Sequence, residues 1–211
     1  MKIEVPVFKR RKGSATDLPD RAVSLALAQA RAQSNHSDRN VAIILVNCTL
    51  GLRAGEISQL LWKFVLDDDG EVGNTLRLPN EVAKWRSGAD LPISKSLQTA
   101  LQALYEAQSK DHKIAPSDPI FRSQKGAGLS RQSVVDLFRL IWKKAGIDAS
   151  SHSGRRFFIT KAARNVSAVG GSLRDVMALA RHKHLSTTQL YVAQNTRAQT
   201  ALVDLVSRGI K

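Results

Sequence analysis

The sequence predicts an α+β fold that is mainly α-helical and contains one small antiparallel sheet. Apolar residues recur at spacings of three and four, as in Leu97, Leu101 and Leu104, which is the period of an amphipathic helix. This period is interrupted at residues 67–93, where turn residues and alternating apolar residues are typical of strands. Hydrophobic residues make up 43% of the 211, enough for a substantial core in one domain.

The N-terminal region predicts a loose arm followed by two helices. Residues 1–16 are polar and basic and indicate a flexible arm or a linker remnant, ahead of a domain that spans residues 17–211. The first helix is expected to start near residues 17–19, because proline suits a first helical turn. The apolar run 41–50 fits a buried strand or a buried helix, but possible caps before it and Gly51 after it favour a helix.

The middle region predicts three short antiparallel strands. The segment DDDG at residues 67–70 is a turn signal, and residues 72–78 then alternate in part between apolar and polar side chains. Further strands are expected at residues 81–85 and 91–93, separated by a polar tip at residues 86–90.

Helical patterns surround this sheet and continue to the end of the chain. A helix is expected near residues 54–62, and another behind Ser94 or Ser96 as its cap. Ser130 and Gly146 flank a further apolar stripe, as a cap and a stop signal do. The remaining helices are expected near residues 155–165, 173–181 and 196–208.

The charge of the chain points to a polyanionic partner. Lys and Arg total 32 against 18 Asp and Glu, which gives a net charge of +14 and a pI near 10.4. Each phosphate that such a surface neutralises releases a condensed counterion. A membrane surface would also attract this charge, but no apolar stretch approaches the roughly 20 residues of a spanning helix. The N-terminus lacks the apolar region of a secretion signal, so a cytoplasmic protein without membrane partners is expected.

The only cysteine, Cys48, lies inside the apolar run 41–50. A lone cysteine forms neither an internal disulfide nor a thiolate-only zinc site. It is therefore expected to be a buried thiol in a reducing compartment. The sequence also lacks a nucleotide-binding loop, a paired-carboxylate metal cluster and an HExxH motif, so no metal or cofactor is expected.

Two segments combine basic and acidic side chains in a suggestive way. Arg53 is followed three residues later by Glu56, and Lys84 stands eight residues before Pro92 across the expected hairpin. Taken alone, the first is an ordinary solvated Arg–Glu pair at a helix start. The second, taken alone, is an ordinary surface lysine.

Two further segments carry histidine, arginine and tyrosine. His152 and Arg155 open a helix, and Tyr191 follows His182 by nine residues. Ser186 and Gln189 have the spacing of a capping box, which predicts Tyr191 about one turn into a short helix. Alone, these segments are compatible with solvated side chains and a tyrosine ring packed on the core, as is expected for Tyr105.

Together the four segments suit attack on a phosphodiester. A phosphoryl group in transfer spreads negative charge over its oxygens, and Arg53 and Arg155 could hold it from two sides without a metal. A tyrosine hydroxyl is a usable nucleophile if a neighbour takes its proton. His152 or His182 could take it, or donate a hydrogen bond to a phosphate oxygen. Lys84 could protonate the leaving oxygen.

The order and spacing of these residues resemble the tyrosine recombinase (phage integrase) family, over roughly residues 17–208. The segment LSTTQLY at residues 185–191 is similar to the sequence that surrounds the nucleophile in this family. The resemblance implies an integrase-like catalytic domain that cleaves and rejoins double-stranded DNA through a 3′-phosphotyrosyl link, with no cofactor. The products could be those of integration, excision, inversion or resolution, as in phages and mobile elements.

The resemblance also implies a role for each site residue. Arg53 and Arg155 bind the scissile phosphate, and Tyr191 is the nucleophile. Lys84 is the general acid for the leaving 5′-hydroxyl, and His152 assists proton transfer with Tyr191. His182 donates a hydrogen bond to a non-bridging oxygen, and Glu56 orients the site.

Three residues differ from the family's usual sequence pattern. Gly154 replaces a usual leucine, Arg156 replaces a histidine or lysine, and Arg181 replaces the glycine that usually precedes His182. No expected catalytic side chain is lost. Gly154 and Arg181 are nevertheless expected to alter the local packing and the geometry around the phosphate.

The family resemblance leaves assembly and completeness open. Many members carry a helical domain before the catalytic one, so the chain is either a fragment or a short recombinase. Its last helix, residues 196–208, places Ala198, Leu202, Leu205 and Val206 on one face. From the residues alone, this face is equally compatible with packing on its own domain and with docking on a partner. In many such recombinases this helix docks on a neighbouring protomer, so the resemblance implies a dimer to tetramer on DNA.

Three other functions compete with recombination. A type IB topoisomerase shares the chemistry, but the segment LSTTQLY favours a recombinase. A non-catalytic DNA-binding regulator could keep the fold, but all expected catalytic side chains are present. A basic RNA-binding domain is disfavoured because aromatic residues make up only 5% and no stacking motif is present.

Overall fold

The structure is a computed structural model that describes residues 18–33, 36–110, 112–191 and 196–208. It is mainly helical with one small antiparallel sheet, so the predicted fold class is confirmed. The expected basic arm at residues 1–16 lies outside the described residues. The elements are α1 (Asp20–Arg31), α2 (Ser37–Thr49), α3 (Ala54–Ile57), β1 (Thr75–Leu78), β2 (Ala89–Pro92), α4 (Lys95–Ser109), α5 (Arg131–Lys144), α6 (Ser151–Asn165), α7 (Leu173–Ala180), α8 (Leu185–Gln189) and α9 (Thr196–Arg208).

Short-range hydrogen bonds set the starts of the long helices. The Ser94 hydroxyl accepts from the backbone N–H of Leu97 at α4, and Ser130 accepts from Ser133 at α5. Both caps were predicted. The α6 helix begins with Ser150 as its cap, in a reciprocal capping box with Ser153. Each cap satisfies an otherwise free helix N–H.

The sheet has two strands rather than three. The β1 and β2 strands pair antiparallel from Thr75 opposite Pro92 to Leu78 opposite Ala89. The third predicted strand, at residues 81–85, is wrong. These residues form turns that lead into a 3₁₀ turn, and Trp85 and the following Arg86 have φ values of 65° and 53°. Positive φ angles are incompatible with a strand.

The helix expected over residues 54–62 is much shorter than predicted. The α3 helix ends at Ile57, and a separate 3₁₀ turn covers Trp62–Phe64. The backbone N–H of Trp62 donates instead to the Asp118 carbonyl at 3.0 Å. A long-range backbone contact therefore replaces the next helical bond, which no local pattern indicates.

The core surrounds α2, which packs against α1, α4 and α6. Residues 40–48 of this helix are buried on every side, which explains its nearly continuous apolar sequence. Cys48 is buried as predicted, and burial raises the pKa of its thiol to about 12. Within the ranges described above, no helix is both long and apolar enough to cross a membrane.

One buried amide ties α2 to the segments that follow and face it. The Asn47 side chain is fully buried and donates to the Leu52 carbonyl at 2.8 Å and to the Ser151 carbonyl at 3.1 Å. Gly154 leaves the space for this amide, because a Cβ at that position would lie 1.9 Å from Asn47 Oδ1. This explains why glycine stands here where the family usually has leucine.

We expect Gly154→Ala to lower the free energy of unfolding by about 1–3 kcal/mol, the usual cost of overpacking a core. The new methyl group must displace an amide that is pinned by two hydrogen bonds. Urea denaturation measures the change. Gly73→Ala is the control, since its Cβ would make only ordinary contacts, the nearest at 3.5 Å. Equal stability of the two variants would contradict this account of Gly154.

Candidate active site

The four segments that carry the predicted residues converge around the N-termini of α3 and α6. Arg53 is the N-cap residue of α3, and Lys84 lies in the connection between β1 and β2. His152 and Arg155 lie in the first turns of α6. The junction between α7 and α8 and the residues just past α8 complete the site with Arg181, His182 and Tyr191.

The Glu56 carboxylate joins three of these segments, although its side chain is only 2% exposed. Its oxygens accept from the Arg53 backbone N–H at 2.8 Å and from Arg53 Nη1 at 2.9 Å. They also accept from Arg181 Nη2 at 2.8 Å and from the Lys84 backbone N–H at 3.3 Å. Burial acts to raise the pKa of Glu56, but Arg181 and then Arg53 hold it below its usual range.

Arg155 is buried and is held by two backbone carbonyls. Its Nη1 donates to Gly51 at 2.6 Å, and its Nη2 donates to Ala180 at 2.5 Å. Burial lowers the pKa of its guanidinium to about 10, with Arg53 and Arg181 as smaller causes. It therefore stays charged at neutral pH, and three of its N–H groups are not used by these two bonds.

Gly51 must be a glycine for two reasons. Its φ is +64°, in the left-handed region, and a Cβ would lie 2.6 Å from the Phe158 ring. Its carbonyl accepts from Arg155, and Arg53 follows two residues later. The turn at Gly51 thus brings the two arginines of the predicted phosphate clamp into one site.

Arg181 occupies a backbone position that suits glycine. It is the C-cap residue of α7 with φ 55° and ψ 44°, a conformation that costs an ordinary residue roughly 1–2 kcal/mol. Its side chain is 2% exposed and forms an ion pair with Glu56. Its Nε and Nη1 atoms are buried and have no hydrogen-bond partner among the described residues.

Both predicted histidines have a lowered pKa. Burial lowers the pKa of His182 to about 4, with Arg155, Arg53 and Arg181 as further causes, so this imidazole is neutral at neutral pH. Its Nδ1 lies 3.0 Å from the hydroxyl of the buried Thr188. Burial, and then Arg53, also lower the pKa of His152, which lines a groove beside that arginine.

Tyr191 lies beside His182, in a position different from the predicted one. The capping box of Ser186 and Gln189 is wrong, because α8 begins at Leu185 with His184 as its N-cap and without a side-chain cap. The Thr187 N–H donates to the His184 carbonyl, so the first turn closes two residues earlier than a cap at Ser186 would place it. Tyr191 therefore lies two residues past the end of the helix.

The Tyr191 ring is half-buried and packs on both polar and apolar neighbours. Its centroid is 6.0 Å from that of His182, with 27° between the ring planes. The Arg156 guanidinium carbon lies 5.6 Å from the ring centroid. The ring also packs against a small cluster of Ile159, Val176 and Ala180. Tyr105 packs edge-on against Trp62 and is partly buried, as expected.

Lys84 is exposed and lines a groove that also borders Arg53. A groove of about 1050 Å³ is bordered by Arg53, Lys84, Arg131 and His152. A smaller cavity of about 380 Å³ is bordered by Arg53, Trp85, Arg181 and His182. The Trp85 ring is 70% exposed, and the ammonium groups of Lys84 and Lys183 lie 5.3 and 6.0 Å from its centroid.

The arrangement can bind an anion and move a proton. The site contains the guanidinium groups of Arg53, Arg155 and Arg181 and the carboxylate of Glu56, so it has an excess of positive charge. Two neutral imidazoles and a tyrosine hydroxyl lie around it. No cluster of three or more His, Cys, Asp or Glu side chains that could hold a metal occurs in the part of the chain that the structure describes.

The sequence had not assigned roles to Asn47, Thr188 or Arg181. Asn47 and Thr188 look like ordinary polar residues, and only their buried hydrogen bonds to Ser151 and His182 show their importance. Arg181 was visible only as a departure from the family's glycine. His36 and His184 are exposed, whereas His112 is half-buried against Arg122.

Comparisons with curated proteins find several DNA recombinases. The chain is 32% identical to tyrosine recombinase XerC of Methylobacterium sp. (strain 4-46), over 81% of this chain and 51% of that protein. It is 28% identical to tyrosine recombinase XerD of Listeria innocua serovar 6a, over 90% of this chain and 61% of that protein. The chain thus spans about half to three fifths of the length of these relatives.

Comparisons with solved structures find the same fold. The crystal structure of XerA recombinase matches with a TM-score of 0.69 and 21% identity, over 95% of this chain and 65% of that one. XerH site-specific recombinase bound to its difH substrate matches with a TM-score of 0.68 and 18% identity, over 88% of this chain and 53% of that one.

The family model for the phage integrase family matches residues 19–197. This range includes each of the predicted site residues, from Arg53 to Tyr191. By this match over most of its length, the chain belongs to the phage integrase family.

Proposed function

We propose that the chain is the catalytic part of a site-specific DNA recombinase, with residues 17–211 as its catalytic domain and Tyr191 as its nucleophile. The observation that carries this proposal is the convergence of Arg53, Arg155 and His182 beside a tyrosine that is accessible in part. The charge excess of the site suits a phosphodiester, whose non-bridging oxygens carry the negative charge.

In the proposed reaction the Tyr191 hydroxyl oxygen attacks the scissile phosphorus. The new bond joins the tyrosine oxygen to phosphorus, and the bond from phosphorus to the 5′-oxygen breaks. The tyrosine proton passes to a base, for which the neutral His152 is the candidate, and Lys84 protonates the 5′-oxygen. Attack by a 5′-hydroxyl on the phosphotyrosine reverses these steps, so no external energy source is consumed.

Double-stranded DNA is the proposed substrate, and a cytoplasmic location is proposed with it. The net charge of +14 supports binding to the phosphate backbone. Among the structural neighbours, XerH is bound to a difH substrate and a lambda integrase dimer is bound to a COC′ core site. The exposed Lys84 and Trp85 beside the cavities supply a cationic and aromatic edge for a strand to contact.

Self-association through α9 is the proposed route to a dimer or tetramer on DNA. In α9, Val203, Leu205 and Val206 are 69%, 63% and 66% exposed. Exposed apolar residues on one helix indicate an interaction site. A neighbouring copy that covers this helix would join adjacent protomers through the same pair of surfaces at every contact.

A non-catalytic DNA-binding regulator with the same fold is the second candidate, and a topoisomerase-like relaxing enzyme is the third. The regulator would bind DNA without forming a covalent link. The relaxing enzyme would form the link but would not join strands from different partners.

We expect Tyr191→Phe to abolish the covalent protein–DNA adduct while DNA binding stays nearly unchanged, because the substitution removes only the nucleophilic oxygen. The substrate is a nicked duplex that traps the cleaved state, and a denaturing protein gel detects the adduct. Tyr105→Phe is the matched control and should form the adduct like the wild type. An adduct in the Tyr191 variant would refute the assignment.

We expect Lys84→Ala to slow cleavage by about 10²–10⁴-fold, the usual contribution of a general acid. A substrate with sulfur in place of the 5′-bridging oxygen has a leaving group that needs no proton, so it should restore most of the rate. Arg155→Lys serves as the comparison and should remain slow on both substrates, because it weakens phosphate binding instead. If the sulfur substrate does not restore the rate of the Lys84 variant, another residue is the general acid, and Lys95 is the next candidate.

We expect deletion of residues 195–211 to leave binding to a single site intact and to reduce cooperative binding to paired sites and recombination. Changing Leu202 and Leu205 together to Asp should have the same effect, as should Leu205→Asp with Val206→Asp. Ser207→Asp, on an exposed polar residue of α9, is the control. Gel-shift titrations on one and two sites make the comparison. A large fall in melting temperature would instead show that α9 packs on its own domain.

A further inference from the structure

We propose that Arg181 is a positioning residue of the reaction, which acts through Glu56 to hold Arg53 and the Lys84 segment in place beside the phosphate. The inference rests on the proposed function. Arg181 stands where the family usually has glycine, so this chain has added a charged group at the center of its site. The proposal concerns that added group.

The contacts of Arg181 connect the last segment of the site to the first two. Its Nη2 donates to Glu56 Oε2, the same oxygen that accepts from the Arg53 backbone N–H. The other carboxylate oxygen accepts from Arg53 Nη1 and from the Lys84 backbone N–H. A shift of Glu56 would therefore move both the phosphate-binding arginine and the segment that carries the general acid.

Arg181 also fixes the backbone next to His182. Arg155 holds the Ala180 carbonyl, and Glu56 holds the side chain of the following residue, Arg181. Two successive residues are thus anchored to different parts of the site. His182 comes directly after them, so the position of its ring depends on both anchors.

Fold stability alone does not explain an arginine here. At φ 55° a glycine would avoid the backbone strain. A glycine would also avoid burying two guanidinium nitrogens that have no hydrogen-bond partner in the described structure. The benefit that offsets both penalties is the contact with Glu56, which supports a role in the site.

The charge of Arg181 keeps Glu56 ionised. The charged groups that face this carboxylate are Arg53 from α3, Arg155 from α6 and Arg181 from the end of α7. The backbone N–H of Lys84 also donates to it. Of the causes that lower the pKa of Glu56, Arg181 is the largest. Without Arg181 this pKa rises, so Glu56 becomes protonated at a higher pH and no longer accepts from both Arg53 donors.

The test is single-turnover cleavage of a nicked duplex across pH 4–9 by the whole chain, with DNA affinity measured separately. Arg181→Gly restores the usual family residue and removes the charge. We expect its cleavage rate to fall by roughly 10–10²-fold, since a displaced catalytic group can cost about 10²-fold. The acid limb of its pH–rate profile, where the rate falls as the pH drops, should move to higher pH. DNA affinity should change by less than about tenfold. Arg181→Lys should recover part of the rate.

Two controls isolate the route through Glu56. Arg139→Gln removes an exposed arginine that pairs with Asp136 and should keep the wild-type rate and acid limb. In the Glu56→Gln background the carboxylate at position 56 is absent and cannot titrate. Arg181→Gly should therefore no longer move the acid limb of the pH–rate profile. A shift that persists there would overturn the proposed route.

Wild-type rate and an unchanged acid limb in Arg181→Gly would also overturn the proposal. Melting temperatures are recorded for every variant, and Arg181→Asn provides a second uncharged residue that tolerates positive φ. If both uncharged variants unfold at the assay temperature, Arg181 is a structural residue and the proposal fails. A wild-type chain that forms no adduct would instead refute the proposed function, which is a separate outcome.

Discussion

The buried Glu56 carboxylate is the interaction on which the site depends. Three arginines close to one another repel, and burial strengthens that repulsion because water screens it less. Glu56 accepts hydrogen bonds from two of them, Arg53 and Arg181, and its charge offsets part of the excess at Arg155. Removing one partner of such a buried pair leaves an uncompensated charge, which is strongly destabilising. The same carboxylate therefore serves both the fold and the proposed phosphate site.

Hydrogen bonds to backbone carbonyls hold the rest of the site together. Asn47 reaches the Leu52 and Ser151 carbonyls, which places the segments of Arg53 and His152 side by side on α2. Arg155 reaches Gly51 and Ala180 and thereby adds the end of α7. Because these anchors are carbonyls, they constrain the backbone directly, and Arg155 keeps N–H donors that its two carbonyl bonds do not use.

Local patterns predicted the features that local forces determine. The caps at Ser94 and Ser130 were predicted because a hydroxyl three residues before a helix N–H bonds to it regardless of the rest of the fold. The third strand was wrong because the turn around Trp85 adopts positive φ, which no alternation of side chains indicates. The ion pair of Arg181 with Glu56 could not be predicted, since the two residues are 125 apart in sequence.

The arginines that would bind the phosphate also influence the protonation of the two histidines. Burial is the largest cause of the lowered pKa at His182 and at His152. Arg155, Arg53 and Arg181 lower the pKa of His182 further, and Arg53 lowers that of His152 further. A bound phosphodiester brings a negative charge into the same space, so it offsets these guanidinium groups and raises both imidazole pKa values again. In the proposed reaction the free site therefore holds neutral imidazoles, and substrate binding makes them better proton acceptors. In the proposed reaction, phosphate binding and activation of Tyr191 are in this way coupled through the charges of the site.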